Sequence, residues 1–236
     1  MRILVTNDDG INAPGIRKLV EIAVRFGEVT IIAPDGQRSA ASHQSTFGTP
    51  LIMNEVDYDM DNIKAYSLNG TPADCVRVGI LGVMAPAPDL VLSGINNGYN
   101  MASDIQYSGT VGAALEAAFY GIQAIAVSIG VNGSTDIIDR YLPDLLEEYI
   151  SKPLGKDQVW NINFPECSIE ECRGILHNLK VSKDDFYEDD ISIDKNGDGS
   201  FVITEHAKRR WEASEGTDLH AIINNYIAVG PVNNVS

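Results

Sequence analysis

Basic residues are scarce in this chain of 236 residues, which has 17 lysines and arginines against 33 aspartates and glutamates and a net charge of −16. Binding to a nucleic acid strand needs basic patches that neutralise phosphates and release counterions. The longest basic run is only Lys208-Arg209-Arg210. We therefore expect no DNA or RNA partner. A small anion remains possible, because a bound cation or a helix N-terminus can reverse the sign of the local charge.

The chain also has little of what a secreted or membrane protein needs. Its cysteines are odd in number and form no CxxC pair: Cys75, Cys167 and Cys172. The longest uncharged stretch, residues 117–135, is interrupted by glycines and polar residues, so it does not resemble a bilayer span. Only three apolar residues, 3–5, precede the first polar run, too few for a signal-peptide core. We predict a cytoplasmic protein with no membrane partner.

Apolar runs and amphipathic stretches alternate along the first 165 residues. The continuous apolar runs, typical of parallel strands covered on both faces, are 2–6, 29–33, 89–93, 124–128 and 159–163. Stretches with helical periodicity lie between them at 10–27, 71–81, 109–120 and 137–150. This alternation predicts an α/β fold with a doubly wound, mostly parallel, Rossmann-like sheet in three layers. Pro143 means that the fourth helix either begins near Leu142 or is kinked there.

The alternation stops after Pro165. Residues 191–193 and 200–204 flank a turn and predict a β-hairpin. We therefore divide the chain into a Rossmann-like core, residues 1–165, and a C-terminal hairpin and tail extension, residues 166–236. We expect this extension to lie outside the main sheet and to serve in contacts between subunits.

The predicted turn contains a calcium-loop motif. Residues 194–205 match D-x-[DN]-x-[DN]-G-x5-E, with Asp194 in the first position and Glu205 in the twelfth. An EF-hand needs flanking amphipathic helices, whereas the flanks here alternate or are β-branched. We therefore favour a hairpin tip with no catalytic role, and calcium binding is the alternative.

Polar motifs follow three of the predicted strands. Asp8 and Asp9 follow the first, Ser39 follows the second, and Asn96 follows the strand at 89–93. Parallel strands end at the same edge of a sheet, so these side chains converge there. An all-oxygen set suits Mg²⁺ or Mn²⁺ rather than zinc. Taken alone, two adjacent aspartates are as consistent with a turn or a helix cap.

The motif at residues 107–112 opens an alanine-rich helix with small residues. Free amides and the hydroxyls of Ser108 and Thr110 make this helix start a candidate anion site. The alternative is that Ser108 only caps the helix and that the glycines only allow close packing.

Three other residues are weaker candidates. His43, in the loop after Ser39, could donate a proton to a leaving oxygen or be a structural loop residue. Arg38 could balance phosphate charge. Glu116 lies in an otherwise small and apolar helix, so it faces a partner that the sequence does not name.

Six motifs together resemble the SurE family of bacterial stationary-phase survival proteins: MRILVTNDDGINAPGI, APDGQRSA, NGTPADCV, LVLSGINNGYN, YSGTVGAALEAAFYGI and WNINFP. They occur in the order that the family has and span residues 1 to about 165. The resemblance implies a metal-dependent 5′-nucleotidase with broader phosphomonoesterase activity, acting on nucleoside 5′-monophosphates. It also implies dimers or tetramers that exchange C-terminal elements.

The resemblance implies roles for particular residues. One divalent cation per subunit, Mg²⁺ or Mn²⁺ with Ca²⁺ as a substitute in crystals, would be held by Asp8, Asp9, Ser39 and Asn96. Substrate phosphate would contact Asn100, Ser108, Gly109 and Thr110. The predicted catalytic residues are Asp8, Asp9 and His43. The tail departs from the family pattern, because residues 173–190 are largely acidic and the closing segment differs, so substrate preference and assembly geometry do not follow from it.

Two rival functions also involve acids after the first strand. A non-enzymatic, phospho-accepting receiver module needs a third aspartate at the end of its central strand, but Leu92-Ser93-Gly94 has no carboxylate. An aspartyl-phosphatase needs D-x-D where this chain has Asn7-Asp8-Asp9. We therefore favour metal-dependent hydrolysis of nucleoside 5′-monophosphates and keep the receiver module as the alternative.

Overall fold

The computed structural model describes residues 1–234, which form eleven strands and five α-helices. In chain order the elements are β1 (Arg2–Thr6), α1 (Pro14–Ala23), β2 (Glu28–Pro34), β3 (Met53–Glu55), β4 (Lys64–Leu68), α2 (Pro72–Val78), β5 (Leu90–Asn97), α3 (Gly109–Phe119), β6 (Gln123–Ile129), α4 (Thr135–Ile150), β7 (Gln158–Phe164), β8 (Ile175–Leu176), β9 (Tyr187–Lys195), β10 (Phe201–Arg209), α5 (Asp218–Ile223) and β11 (Ile227–Asn233). A wide helical turn, Gly79–Val83, continues α2, and a 3₁₀ segment, Ala102–Tyr107, leads into α3.

Nine strands form one sheet in the order β3-β4-β2-β1-β5-β6-β7-β11-β8. The pairings from β4 through β7 are all parallel. From β1 the chain builds the sheet first toward β2 and β4, and later in the opposite direction from β5 to β7. The order of the strands therefore reverses between β1 and β5. In doubly wound sheets this is where ligands bind, beyond the carboxyl ends of the strands.

Helices cover both faces of the sheet. Helices α1 and α4 pack on one face, where Ile16 and Leu142 belong to the same buried cluster. Helices α2 and α3 pack on the other face, where Val76 and Val111 share a second cluster. The predicted three-layer, Rossmann-like α/β fold is thereby confirmed. Within residues 1–234, no helix combines the length and apolar character that crossing a bilayer requires.

Helix α4 settles the question that Pro143 raised. The helix starts at Thr135, well before Leu142, and its N-cap Ser134 accepts a hydrogen bond from the Asp136 amide at 3.2 Å. Pro143 lies inside the helix, where its ring removes one backbone hydrogen bond. The helix continues because Leu142 and the residues one turn later are buried against the sheet.

The expectation that the whole tail lies outside the main sheet is wrong. Strand β11 pairs antiparallel with β7, and its first residues, Ile227 and Ala228, pair parallel with β8. The strand escapes recognition in the sequence because it contains Gly230 and Pro231, which usually argue against a strand. The position of Pro231 is tolerated, because β8 ends before it and one edge of β11 is unpaired there. The division of the chain at residue 165 stays a prediction.

The predicted hairpin is confirmed. Strands β9 and β10 pair antiparallel from Tyr187 and Arg209 at the base to Lys195 and Phe201 near the tip, and they form a separate two-stranded sheet. One face carries exposed apolar side chains, namely Ile191, Ile193, Phe201 and Ile203. At the tip, the Asp198 carboxylate accepts bonds from the amide and hydroxyl of Ser200 at 2.9 and 2.7 Å. Asp198 therefore closes the turn as an ordinary hairpin residue.

We expect an Asp194→Ala, Asp198→Ala double variant to stay folded, because both positions lie at an exposed hairpin tip away from the main sheet. Its unfolding midpoint should move by no more than about 2 °C. Circular dichroism measures this, and calorimetry with Ca²⁺ should give the same titration for the variant and the wild type, because the hairpin tip adds no site of its own. Micromolar Ca²⁺ binding that only the wild type shows would contradict the assignment.

Candidate active site

A tight turn presents the two aspartates that follow β1. The Asn7 side chain closes the turn, because its Nδ2 donates to the Gly10 carbonyl at 3.0 Å and its Oδ1 accepts from the Gly10 amide at 3.1 Å. Gly10 adopts φ +100°, which an L side chain disfavours, and a Cβ there would lie 3.1 Å from the backbone of Gly36. The turn therefore fixes Asp8 and Asp9 at the carboxyl end of the central strand, close to the loop after β2.

Asp8 is buried against the first turn of α3. Its side chain is 4% exposed, and its Oδ1 accepts a hydrogen bond from the Thr110 hydroxyl at 2.6 Å. Gly109 permits this approach, since a Cβ there would lie 3.1 Å from Asp8 Oδ2. Burial raises the pKa of the Asp8 carboxyl, and the charge of Asp9 adds to this rise, while the bond from Thr110 opposes it. The carboxylate after β1 and the predicted anion site thus meet.

Asp9 connects β1 to the end of β5. Its Oδ2 accepts from the Asn97 amide at 3.2 Å. Burial raises the pKa of this carboxyl too, against the effect of that bond. The neighbouring Asn96 donates from Nδ2 to the Gly98 carbonyl at 2.9 Å. That bond leaves the Asn96 Oδ1 atom as the side chain's remaining polar atom, which suits a cation ligand.

Ser39 and Arg38 lie in the loop after β2. The Arg38 amide donates to the Asp8 carbonyl at 2.7 Å, which ties this loop to the turn after β1. Ser39 is exposed, and its Oγ accepts from Gln37 at 2.9 Å. The Arg38 guanidinium instead pairs with Asp35 at 2.8 Å and donates to the Gly70 carbonyl at 3.3 Å. Arg38 is therefore engaged with the protein itself.

The donor set fits a hard divalent cation. Asp8 and Asp9 bring two carboxylates together, and within residues 1–234 no ion pair involves either of them. Their raised pKa values have burial as the first cause, so a bound cation would favour the charged pair. Residues 1–234 contain no cluster of three or more His, Cys, Asp or Glu side chains that could hold a metal ion. An oxygen set that Ser39 and Asn96 complete stays a prediction.

The predicted phosphate contact Asn100 is fixed by asparagines that the sequence analysis did not single out. Asn163 accepts from the Asn100 amide and donates to its carbonyl, both at 2.9 Å, and Asn161 donates to the same carbonyl at 2.8 Å. The Asn100 side chain is 5% exposed and donates to Ser128 Oγ at 2.8 Å. The signal in the sequence was the pair of asparagines at alternate positions of an otherwise apolar strand.

His43 pairs with Glu116, the residue for which the sequence indicates no particular partner. His43 Nε2 lies 2.6 Å from Glu116 Oε2, and Glu116 Oε1 lies 3.6 Å from the Arg77 guanidinium. This pairing joins the loop after β2 to α2 and α3. It leaves Nδ1 as the second ring nitrogen of His43, and a catalytic role for His43 stays a prediction.

Ser108 is the N-cap of α3, and its Oγ accepts from the Val111 amide at 3.0 Å. It is buried, as are Gly109 and Thr110. The capping role that the sequence analysis offered as the alternative is therefore present. Phosphate binding by these residues stays a prediction.

The chain is similar to known proteins over nearly its full length. The family model for the survival protein SurE matches residues 3–184. A 5′-nucleotidase SurE of Clostridium botulinum (strain Kyoto / Type A2) is 40% identical over 238 residues, covering 98% of this chain and 92% of the relative. A 5′-nucleotidase SurE of Geobacter sulfurreducens is 40% identical over 237 residues, covering 98% and 87%. The crystal structure of the SurE protein from Aquifex aeolicus superposes with a TM-score of 0.85 at 34% identity, covering 100% of this chain and 94% of that one.

Replacing Thr110 by valine tests the contact between α3 and Asp8. Valine keeps the shape of threonine but removes the hydroxyl that donates to Asp8, so the carboxylate loses its orienting bond. We expect Mn²⁺ affinity, measured by calorimetry, to fall about 10-fold, since a hydrogen bond to a charged group contributes about 1.5–3 kcal/mol.

Two cap variants are the matched controls. Ser108→Ala removes the cap of α3, and Thr71→Ala removes the cap of α2, where Thr71 accepts from the Asp74 amide at 3.1 Å. Each should lower the free energy of unfolding by about 1 kcal/mol and leave Mn²⁺ affinity unchanged. Full Mn²⁺ affinity in Thr110→Val would show that the bond to Asp8 does not serve a cation site.

Proposed function

Because the chain belongs to the survival protein SurE family, we propose that it is a 5′-nucleotidase, an enzyme that hydrolyses nucleoside 5′-monophosphates to nucleoside and phosphate. The relatives that carry this name match the chain over nearly its full length. The observation that carries the proposal is the 2.6 Å bond between Asp8 and Thr110, because it joins an acidic pair suited to a cation with a helix N-terminus suited to a phosphate.

We assign the cation to Asp8, Asp9, Ser39 and Asn96, with Mg²⁺ or Mn²⁺ as the ion. When bound, such an ion supplies charge neutralisation at the phosphoryl group and a water of lowered pKa. The protein's hydrogen bonds hold the proposed cation ligands in position. Asp8 is oriented by Thr110, Asp9 by the Asn97 amide, and the Asn96 amide nitrogen by the Gly98 carbonyl.

Phosphate binding belongs to the start of α3. Ser108, Gly109 and Thr110 form the first turn, whose partial positive charge favours a dianion. We assign a further phosphate contact to Asn100, whose main chain is fixed by Asn161 and Asn163. We propose that His43 donates a proton to the leaving oxygen through the ring nitrogen that Glu116 does not occupy.

The receiver module is not supported. The relatives are named 5′-nucleotidases. A receiver also needs three acids in one cluster, and within residues 1–234 no group of three His, Cys, Asp or Glu side chains is close enough to share an ion.

Removing the cation should abolish turnover. We expect EDTA to stop phosphate release from nucleoside 5′-monophosphates and Mg²⁺ or Mn²⁺ to restore it. Asp9→Asn should lower kcat by at least about 10³-fold, or about 4 kcal/mol, because the lost charge acts on the reacting group itself. A phosphate-release assay measures both effects, and circular dichroism should show an intact fold. Full activity of the chelated enzyme would refute the assignment.

We also propose that the chain forms a homodimer or homotetramer through the β9–β10 hairpin. A two-stranded hairpin is marginal alone, and this one exposes Ile191, Ile193 and Ile203 at 60, 63 and 62%. A second subunit that covers this apolar face would stabilise it. The tail also extends the main sheet, because β11 and β8 are the last two strands in its order.

Excising the hairpin tests this assembly. Tyr187 pairs with Arg209, so residues 188–208 can be replaced by a short glycine linker without disturbing β11. We expect the shortened chain to sediment as a monomer at micromolar concentration, whereas the full chain sediments as a dimer or tetramer. Asp194→Ala, Asp198→Ala is the control and should keep the wild-type assembly. A full-length chain that sediments as a monomer would contradict the proposal.

A further inference from the structure

We propose that Glu166 is a positioning residue for the active site, because it connects the base of the β9–β10 hairpin to the segment at the end of β5. That segment, residues 96–100, carries the proposed cation ligand Asn96 and the proposed phosphate contact Asn100. The connection is an ion pair between Glu166 and Arg209, which lies outside the site itself. The inference rests on the proposed nucleotidase function and extends it to the residues that support the site.

The Glu166 carboxylate is a point where distant parts of the chain meet. It follows β7 by two residues, and its side chain is 15% exposed. Its Oε2 and Oε1 accept from the Arg209 guanidinium at 2.6 and 3.4 Å. Its Oε1 also accepts from the amide and the side chain of Asn132, in the loop between β6 and α4, at 3.0 and 3.3 Å. The bond from Arg209 is the first cause that lowers the pKa of Glu166, so the carboxylate is charged at neutral pH.

The main chain of Glu166 fixes Tyr99. The Glu166 amide donates to the Tyr99 hydroxyl at 2.8 Å. A Cβ at Gly130 would lie 2.5 Å from both that hydroxyl oxygen and the Glu166 Cγ atom, so the two side chains pack directly beyond the end of β6. Tyr99 is followed by Asn100, and the carbonyl before it accepts from the Asn96 side chain at 2.9 Å. A shift of Glu166 is therefore transmitted through Tyr99 to the segment that holds both proposed ligands.

Arg209 anchors this arrangement to the hairpin. It is the last residue of β10 and pairs in register with Tyr187. Its guanidinium lies 5.6 Å from the centre of the Phe186 ring, and the Tyr99 ring packs edge-on against the same ring, with centroids 5.8 Å apart. Phe186 is buried. The base of the hairpin thus reaches Tyr99 in two ways, through Glu166 and through a buried aromatic ring.

The ion pair contributes more to position than to stability. Arg209 is 30% exposed, and ion pairs that reach solvent add little to the free energy of unfolding. Small displacements of the groups that hold a substrate have a larger effect on an enzyme. Glu166 acts through Tyr99 and not on the reacting group, so its loss should weaken binding of substrate and transition state alike and raise KM. A loss of folded enzyme would instead lower the apparent kcat and leave KM unchanged.

The experiment measures phosphate release from adenosine 5′-monophosphate at saturating Mn²⁺. Glu166→Gln and Arg209→Gln each remove one charge of the pair, and Tyr99→Phe removes only the hydroxyl that the Glu166 amide contacts. The matched control is Asp89→Asn, which breaks the 2.7 Å ion pair with Arg2. Arg2 is 32% exposed, and this pair lies at the opposite end of the parallel strands, where β1 and β5 begin.

We expect each of the three variants to raise KM about 10-fold and to change kcat less than about 2-fold, while Asp89→Asn keeps the wild-type KM. The double variant Glu166→Gln, Arg209→Gln should be no worse than either single variant, because each already breaks the pair. Wild-type KM in any of the three folded variants, losses that multiply in the double variant, or an equal rise of KM in Asp89→Asn would overturn the positioning role while the nucleotidase stands. A wild-type enzyme with Mn²⁺ that releases no phosphate would overturn the proposed function and this inference with it.

Discussion

Asp8 keeps a carboxylate at 4% exposure in a chain whose net charge is −16. A carboxylate buried this far needs bonds that replace water, and the Thr110 hydroxyl provides one at 2.6 Å. Thr110 lies in the first turn of α3, where the helix adds partial positive charge. This contact ties the central strand β1 to the helix that follows β5. The turn closed by Asn7 and the bond that the Asn97 amide donates to Asp9 support the same arrangement, because they hold the end of β1 beside the end of β5.

The topology explains why one short contact can organise so much. The loops after β1 and β5 leave the sheet toward opposite faces, since α1 packs on one face and α3 on the other. A crevice therefore opens between these loops, with Asp8 facing α3 and Asp9 lining a cavity beside α1. Because the protein is acidic and its substrate is an anion, the local charge must be positive where the substrate binds. In our proposal the acidic pair provides this positive charge, because two adjacent carboxylates attract a cation to the centre of that crevice.

Much of this arrangement can be predicted from the sequence. The features that cannot be predicted depend on contacts between residues far apart in the chain. The parallel strands are recognisable because burial on both faces demands continuous apolar runs, and Asp8, Asp9 and Asn96 converge because parallel strands end at one edge. The partner of Glu116 is not recognisable, because its pairing with His43 joins residues 73 apart. Asn163 and Asn100 are 63 residues apart, and neither spacing nor composition specifies such a contact. Strand β11 is missed because its neighbours, not its own propensity, make it a strand.

The loop that carries Ser39 is fixed by a carboxylate that serves two structures at once. Asp74 belongs to the capping box of α2, and it also accepts from the amide and hydroxyl of Thr46 at 2.9 and 2.6 Å. Burial alone would raise the pKa of Asp74, but the bonds from Thr46 and Thr71 outweigh it and lower that pKa below the ordinary value of 3.8.

A carboxyl group whose pKa is lowered by folding stabilises the folded state at every pH above its ordinary pKa. This stabilisation is lost as the pH falls through the lowered pKa. Phosphate monoesters gain their second charge near about pH 6. Asp74 is therefore ionised, and the loop anchored, at every pH at which the dianionic substrate exists. The position of Ser39 relative to Asp8 thus depends on α2 as well as on the loop itself, because the Arg38 amide that bonds to the Asp8 carbonyl lies in the segment that Asp74 helps to hold.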